Sequence, residues 1–145
     1  MKPVDFAKAA GVAILLLVLN VLIATLVILF YSLVIEPGHP HEFYNEAALR
    51  IAPWCSHIFG TALFFVAGYW LSKRRPDRHS YLFATAFTLI YVLIDAATVG
   101  FVGIINLEFA ISNLAKLLAS LAGAFLATRQ GSSRSGQVDL GPQNA

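Results

Sequence analysis

The longest apolar stretch of the chain covers residues 9–35 and reads AAGVAILLLVLNVLIATLVILFYSLVI. It contains no charged residue. A helix rises about 1.5 Å per residue, so a helix of this length exceeds the roughly 30 Å of hydrocarbon in a bilayer. A single strand in lipid would leave backbone N–H and C=O groups without partners. The stretch therefore predicts a membrane-spanning α-helix.

Three further apolar blocks follow it along the chain. We place the four spans at about residues 9–35, 51–72, 80–102 and 107–128. The chain is 58% hydrophobic and 12% charged, whereas soluble domains carry about 25% charged residues. We predict an all-α integral membrane protein, with a four-transmembrane-helix bundle over residues 1–130. Residues 131–145 are rich in Gly, Ser, Gln and Pro, so we expect a disordered cytoplasmic tail there.

The basic residues are distributed unevenly about these spans. Four crossings put eight of the ten on one side: Lys2, Lys8, Lys73, Arg74, Arg75, Arg78, Arg129 and Arg134. Cytoplasmic loops carry the excess of Lys and Arg. We therefore expect a multi-pass protein of the cell (inner) membrane with both termini in the cytoplasm, an N-in/C-in orientation. Topology alone accounts for the basic loop, so we expect the bilayer as a partner and no nucleic acid.

Polar side chains recur at one depth in the three later spans. Counting about 1.5 Å per residue from the span ends places His57, Asp95, Asn113 and Lys116 in the outer half. Tyr91 lies one turn from Asp95 on the same helix stripe. A charge facing lipid at mid-depth costs about 2.5–3.5 kcal/mol, so these faces should point into the bundle. We predict a buried cluster of these five residues, with Asp95 and Lys116 as an ion pair.

Two interpretations of this cluster stay open. In the first, Asp95 is a proton or cation site tuned by Lys116 or His57, or Lys116 helps to bind an anionic or carbonyl-bearing ligand. In the second, the two charges neutralise each other and the polar groups hold the helices together. Asn20 of the first span is expected deeper, nearer the cytoplasmic half.

The fourth span carries a ladder of small residues at four-residue spacing. The ladder consists of Ala115, Ala119, Gly123 and Ala127. Such ladders let helix backbones approach closely. We predict that this is a helix-contact face, which either packs within the bundle or contacts a second copy or another membrane protein.

The segment after the first span offers weak metal ligands. His39 and His41 are followed by Glu42 and Glu46, and imidazole and carboxylate groups bind divalent metals. Their spacing matches no defined site, so we expect no cofactor, with a metal here as a minor alternative. The chain has no Cys-x-x-Cys, no glycine-rich phosphate loop and no His-Glu-x-x-His motif.

These observations favour three functions, in order. The first is a non-enzymatic subunit or homo-oligomeric module that uses the ladder as its contact. The second is a small transporter or ligand-binding bundle that uses Asp95, Lys116 and His57. The third is a membrane enzyme acting on a lipophilic substrate, for which no nucleophile or metal can be assigned. We lean toward a protein that is not an enzyme.

Overall fold

The computed structural model describes residues 3–74, 80–102 and 107–135 of the chain. These residues form five α-helices: α1 (Pro3–Phe30), α2 (His41–Cys55), α3 (Thr61–Lys73), α4 (Ser80–Val102) and α5 (Leu107–Ser135). Two π-helical segments continue them, Tyr31–Ile35 at the end of α1 and Ser56–Gly60 between α2 and α3. Four stretches are long and apolar enough to cross a membrane: Pro3–Ile35, His41–Lys73, Ser80–Thr98 and Leu107–Gln130. The all-helical prediction with four candidate spans is confirmed.

Some predicted boundaries differ from those of the structure. The second candidate span begins at His41 rather than at residue 51, because the helix continues through Pro53. Proline lacks a backbone N–H and removes one helical hydrogen bond, but the helix continues after it, since the Ser56 N–H bonds the carbonyls of Ala52 and Pro53. At the other end, α5 extends to Ser135, five residues beyond the predicted end of the four-helix domain at residue 130. Residues 136–145 lie outside the described part of the chain, as do Lys2, Arg75 and Arg78.

The connection between α1 and α2 is a tight turn held by one tyrosine. Gly38 has a φ of 86°, a conformation that suits glycine because it has no Cβ. The Tyr44 hydroxyl donates to the Glu36 carbonyl at 2.7 Å and accepts from the His39 backbone N–H at 3.1 Å. These bonds fix the angle at which the second helical stretch returns along the first.

The closest packing in the bundle is between α3 and α5. A Cβ placed on Gly68 would meet the backbone of Ser120, and one placed on Gly123 would meet the backbone of Phe65 and Tyr69. Small residues allow such backbone contact. Helix α1 packs mainly on α4 and α2. The buried apolar core lies among α1, α3, α4 and α5: Ala9, Ala13, Leu16, Phe64, Ala84, Phe87, Tyr91 and Ala124.

Candidate functional site

The centre of the candidate site is the side chain of Lys116, which is 1% exposed. Its Nζ donates to the Ser56 Oγ at 2.9 Å and to the Tyr91 hydroxyl at 3.3 Å. The same nitrogen lies 4.9 Å from the centroid of the Tyr91 ring. A cation over an aromatic face gains attraction from the ring quadrupole. The ammonium is therefore held by neutral groups from two other helical stretches.

The first helix supplies the fourth member of this group. The Asn20 Nδ2 donates to the Ser56 Oγ at 3.1 Å and to the Tyr91 hydroxyl at 3.2 Å. Each of these two hydroxyls thus lies between the amide and the ammonium. We call the four side chains, Asn20, Ser56, Tyr91 and Lys116, the central polar cluster. It joins all four candidate spans, because each of them contributes one residue.

The π-helical segment Ser56–Gly60 makes room for this cluster. A π-helical turn widens the helix locally and shifts the phase of the residues that follow, and such turns are frequent at functional sites. Its last residue, Gly60, faces the lysine: a Cβ there would lie 2.8 Å from Lys116 Cε and 3.3 Å from Asn20 Oδ1. Any side chain at this position would displace Lys116.

Asp95 lies near the cluster without closing an ion pair. Its carboxylate interacts electrostatically with Lys116 and lies beside the Asn113 side chain. Among the described residues, Asp95 and Lys116 come no closer than the 4.0 Å limit of an ion pair. The predicted direct pair was wrong, because Lys116 lies at the level of Tyr91, one helical turn from Asp95. Instead, the charges of Asp95 and Lys116 attract each other over more than 4.0 Å.

Several buried side-chain oxygens, two of them at the site, have no hydrogen-bond donor. Within the described part of the chain, Asn20 Oδ1, Ser112 Oγ and Asn113 Oδ1 are buried and lack a hydrogen-bond partner. Unpaired buried polar atoms cost free energy, about 1–3 kcal/mol each by mutational measures. Asn113 uses only its Nδ2, which donates to the Phe109 carbonyl at 3.1 Å. The site therefore has unused capacity to accept hydrogen bonds.

A second polar contact lies one helical turn from the cluster, toward Lys73 and Ser80. There, Thr88 and Ser120 share a hydrogen bond of 3.0 Å, and both are fully buried. Aromatic rings pack beside the cluster at this level: the Phe64 ring lies edge-on to Tyr91 at 4.7 Å and tilted against Phe87 at 5.9 Å. The cluster therefore borders the apolar core on this side.

The structure does not bring His57 into the cluster. Its ring lies 6.5 Å from that of Trp54, and among the described residues no hydrogen bond joins it to Lys116 or Asp95. Its neighbour Ser56 points inward instead, because the two consecutive residues project about 100° apart around a helix. Of the five predicted residues, Tyr91, Asn113 and Lys116 are buried, while Asp95 and His57 are half-buried.

The metal candidates are not assembled into a site. The described residues contain no group of three or more His, Cys, Asp or Glu side chains able to hold a metal ion. His39 bonds Glu36 at 3.2 Å and stacks on Phe43 with ring centroids 4.2 Å apart. His41, Glu42 and Glu46 are exposed on the first turns of α2.

The small-residue ladder of α5 faces its own chain over much of its length. Gly123 and Ala127 are buried, whereas Ala115 and Ala119 are half-buried. Gly123 lies against the backbone of Phe65 and Tyr69 on α3. The contact of Gly123 with α3 is packing within the bundle, the first of the two interpretations of the ladder.

Sequence reasoning did not assign Ser56 and Asn20 to the site. Ser56 carried no usable signal, since a serine beside Cys55 and His57 is unremarkable at a span entrance. Asn20 did carry one, because it is the only amide in the apolar stretch 9–35, but residue counting along a straight helix places it deeper than the other polar groups.

No protein-family model, curated protein or solved structure matches this chain.

Proposed function

We propose that the protein is a small membrane transporter in which Lys116 and Asp95 exchange protons with solute or water entering from the Asp95 end. One observation supports this most strongly. A fully buried ammonium is bonded to hydroxyls, while the nearest carboxylate stays beyond ion-pair distance. A structural pair would gain most from direct contact, because opposite charges in low dielectric attract strongly. Because the two groups do not share a direct ion pair, a proton can reach either of them without first breaking one.

The surroundings of the two groups support the same role. The unpaired oxygens of Asn20, Ser112 and Asn113 provide acceptors for water or a protonated solute. Ser56 begins a π-helical segment and lies within reach of Lys116. In transporters, substrate and ion sites lie near the middle of the membrane at interrupted helices, and the central polar cluster includes a residue of such an irregular segment.

The test measures proton movement into liposomes that contain the purified protein and a trapped pH-sensitive dye. With a potassium diffusion potential, we expect acidification at least tenfold faster than in protein-free liposomes. Lys116→Met and Asp95→Asn should each reduce the rate to the protein-free level. Glu108→Gln, which changes an exposed carboxylate, should leave it unchanged. Wild-type liposomes that acidify no faster than empty ones under either polarity would refute the proposal.

The small-residue ladder is a weaker argument for a subunit or homo-oligomer once its position in the fold is known. Such a role relied on the ladder of α5 as an intermolecular contact, and the Gly123 part of that ladder is covered by α3. The transporter proposal needs no second chain, since all members of the central polar cluster come from one. We therefore prefer it.

We further propose the N-in/C-in orientation, on the distribution of basic residues alone. In a Cys55→Ala background, Asn45→Cys should react with a membrane-impermeant maleimide applied to intact cells. Arg74→Cys should react only after the membrane is opened. Both positions are exposed in the fold, so burial does not confuse the comparison. The reverse labelling pattern would invert the orientation.

A further inference from the structure

A groove runs along the side of the bundle at the end that holds Lys73 and Ser80. It has a volume of about 300 Å³ and lies between α1, α3 and α4. Its lining consists of Lys8, Gly11, Val12, Leu15, Leu71 and Phe83. The four residues of α1 recur at intervals of three and four and therefore form one face of the helix. The groove lies apart from the central polar cluster and shares none of its residues.

The groove is open around Gly11. A Cβ at this position would meet no heavy atom within 4 Å, which distinguishes Gly11 from the tightly packed glycines of α3 and α5. Leu15, the next groove residue along α1, is 57% exposed. From Lys8 to Leu15 the helix rises about 10 Å. The space is thus an open apolar channel that runs along the helix axis.

Positive charge lies at one end of this channel. Lys8 is exposed, and no ion pair between described residues involves it. The carboxylate one turn earlier, Asp5, is buried and forms no ion pair with Lys8 among the described residues. At the same end of α3, Lys73 and Arg74 are exposed, and their cationic groups lie over the rings of Tyr69 and Trp70. Such an arrangement of basic and aromatic residues is typical of a membrane interface.

We infer that this groove binds one anionic phospholipid, with an acyl chain along Gly11 and Leu15 and the phosphate on Lys8. The apolar walls match a hydrocarbon chain. The ammonium at the rim matches a phosphate better than a zwitterionic headgroup, whose own cation offsets the attraction. Any bilayer lipid fills an apolar groove, so charge is the distinguishing property. The inference does not depend on the transport proposal.

The test compares phosphatidylglycerol with phosphatidylcholine of the same acyl chains, as adducts retained by the purified protein in native mass spectrometry. We expect the wild type to prefer phosphatidylglycerol about fivefold, which corresponds to about 1 kcal/mol for one basic residue at a membrane surface. Lys8→Gln should abolish the preference but still retain lipid. Gly11→Leu, which fills open space, should abolish retention of either lipid at this site.

Two matched variants control for general effects. Arg50→Gln removes an exposed charge at the opposite end, and Val21→Leu enlarges an exposed apolar residue of α1 outside the groove. Both should bind like the wild type. Gly11→Ala provides a milder filling should Gly11→Leu not fold. Equal retention of the two lipids by the wild type, or an unchanged preference in Lys8→Gln, would overturn the inference.

Discussion

Gly68→Ala is expected to destabilise the bundle by about 3 kcal/mol, the upper part of the range for overpacking a well-packed interior. The added Cβ would meet the Ser120 carbonyl group, with its carbon at 2.9 Å and the Ser120 Cα at 3.0 Å. Both atoms belong to backbone, which cannot rotate aside as a side chain does. Relief therefore requires α3 and α5 to separate along much of their length.

Gly123→Ala should have a comparable effect from the other helix. Its Cβ would meet the backbone of Phe65 and lie 2.7 Å from the Tyr69 nitrogen. The variants are compared by their unfolding in a detergent series, followed by circular dichroism. Gly11→Ala is the matched control, because its Cβ enters open space and alanine favours helix by up to about 1 kcal/mol over glycine. Unfolding of Gly68→Ala together with the wild type would mean that the two backbones are not in contact.

The contact of Gly123 with α3 also bears on the hypothesis that the ladder of α5 joins two copies of the chain. From the ladder alone, Ala119→Leu combined with Gly123→Leu is expected to prevent association of copies while each monomer stays intact. From the packing of Gly123 against α3, the same double variant should instead disrupt the monomer. A folded monomer that has lost only its oligomeric state would restore the ladder as an intermolecular surface.

Lys116→Ala is expected to destabilise the bundle by about 2–5 kcal/mol, as for other large-to-small changes in a core. Lys116 is among the largest fully buried side chains. Its truncation would leave a cavity and remove a donor from both Ser56 and Tyr91. Lys116→Met nearly preserves the volume and removes the buried charge. Replacement of both charges of a buried pair by apolar groups is often neutral or stabilising by about 1–4 kcal/mol, whereas removal of one charge leaves the other uncompensated.

The two variants together separate a structural lysine from a functional one. If Lys116 acts mainly as a proton carrier, Lys116→Met should be clearly more stable than Lys116→Ala, because it leaves no cavity, and still inactive in proton flux. Combining it with Asp95→Asn removes both charges and should retain that stability. If Lys116→Met unfolds as easily as Lys116→Ala, then the ammonium holds the helices together, and the proton-exchange role fails. The same detergent series measures all three.

The amino-acid sequence by itself determined the helices and much of the composition of the interior. Apolar runs of sufficient length predicted four candidate spans, because the hydrogen bonds of an α-helix are internal to each segment. Helical periodicity placed Tyr91, Asn113 and Lys116 on inward faces, and the structure buries all three. The spans and their inward faces can be predicted because each depends on the sequence of a single helix.

Only the tertiary structure decided which polar groups meet. Periodicity gives the inward face of a helix, but the rotation, depth and partner of that face follow from the close packing of all the helices. In the second span, Ser56 rather than His57 reaches Lys116, at the start of a π-helical segment that changes the phase of the residues after it. Gly68 and Gly123 let α5 approach α3. With α3 and α5 this close together, Lys116 bonds Tyr91 and Ser56. It makes no direct contact with Asp95.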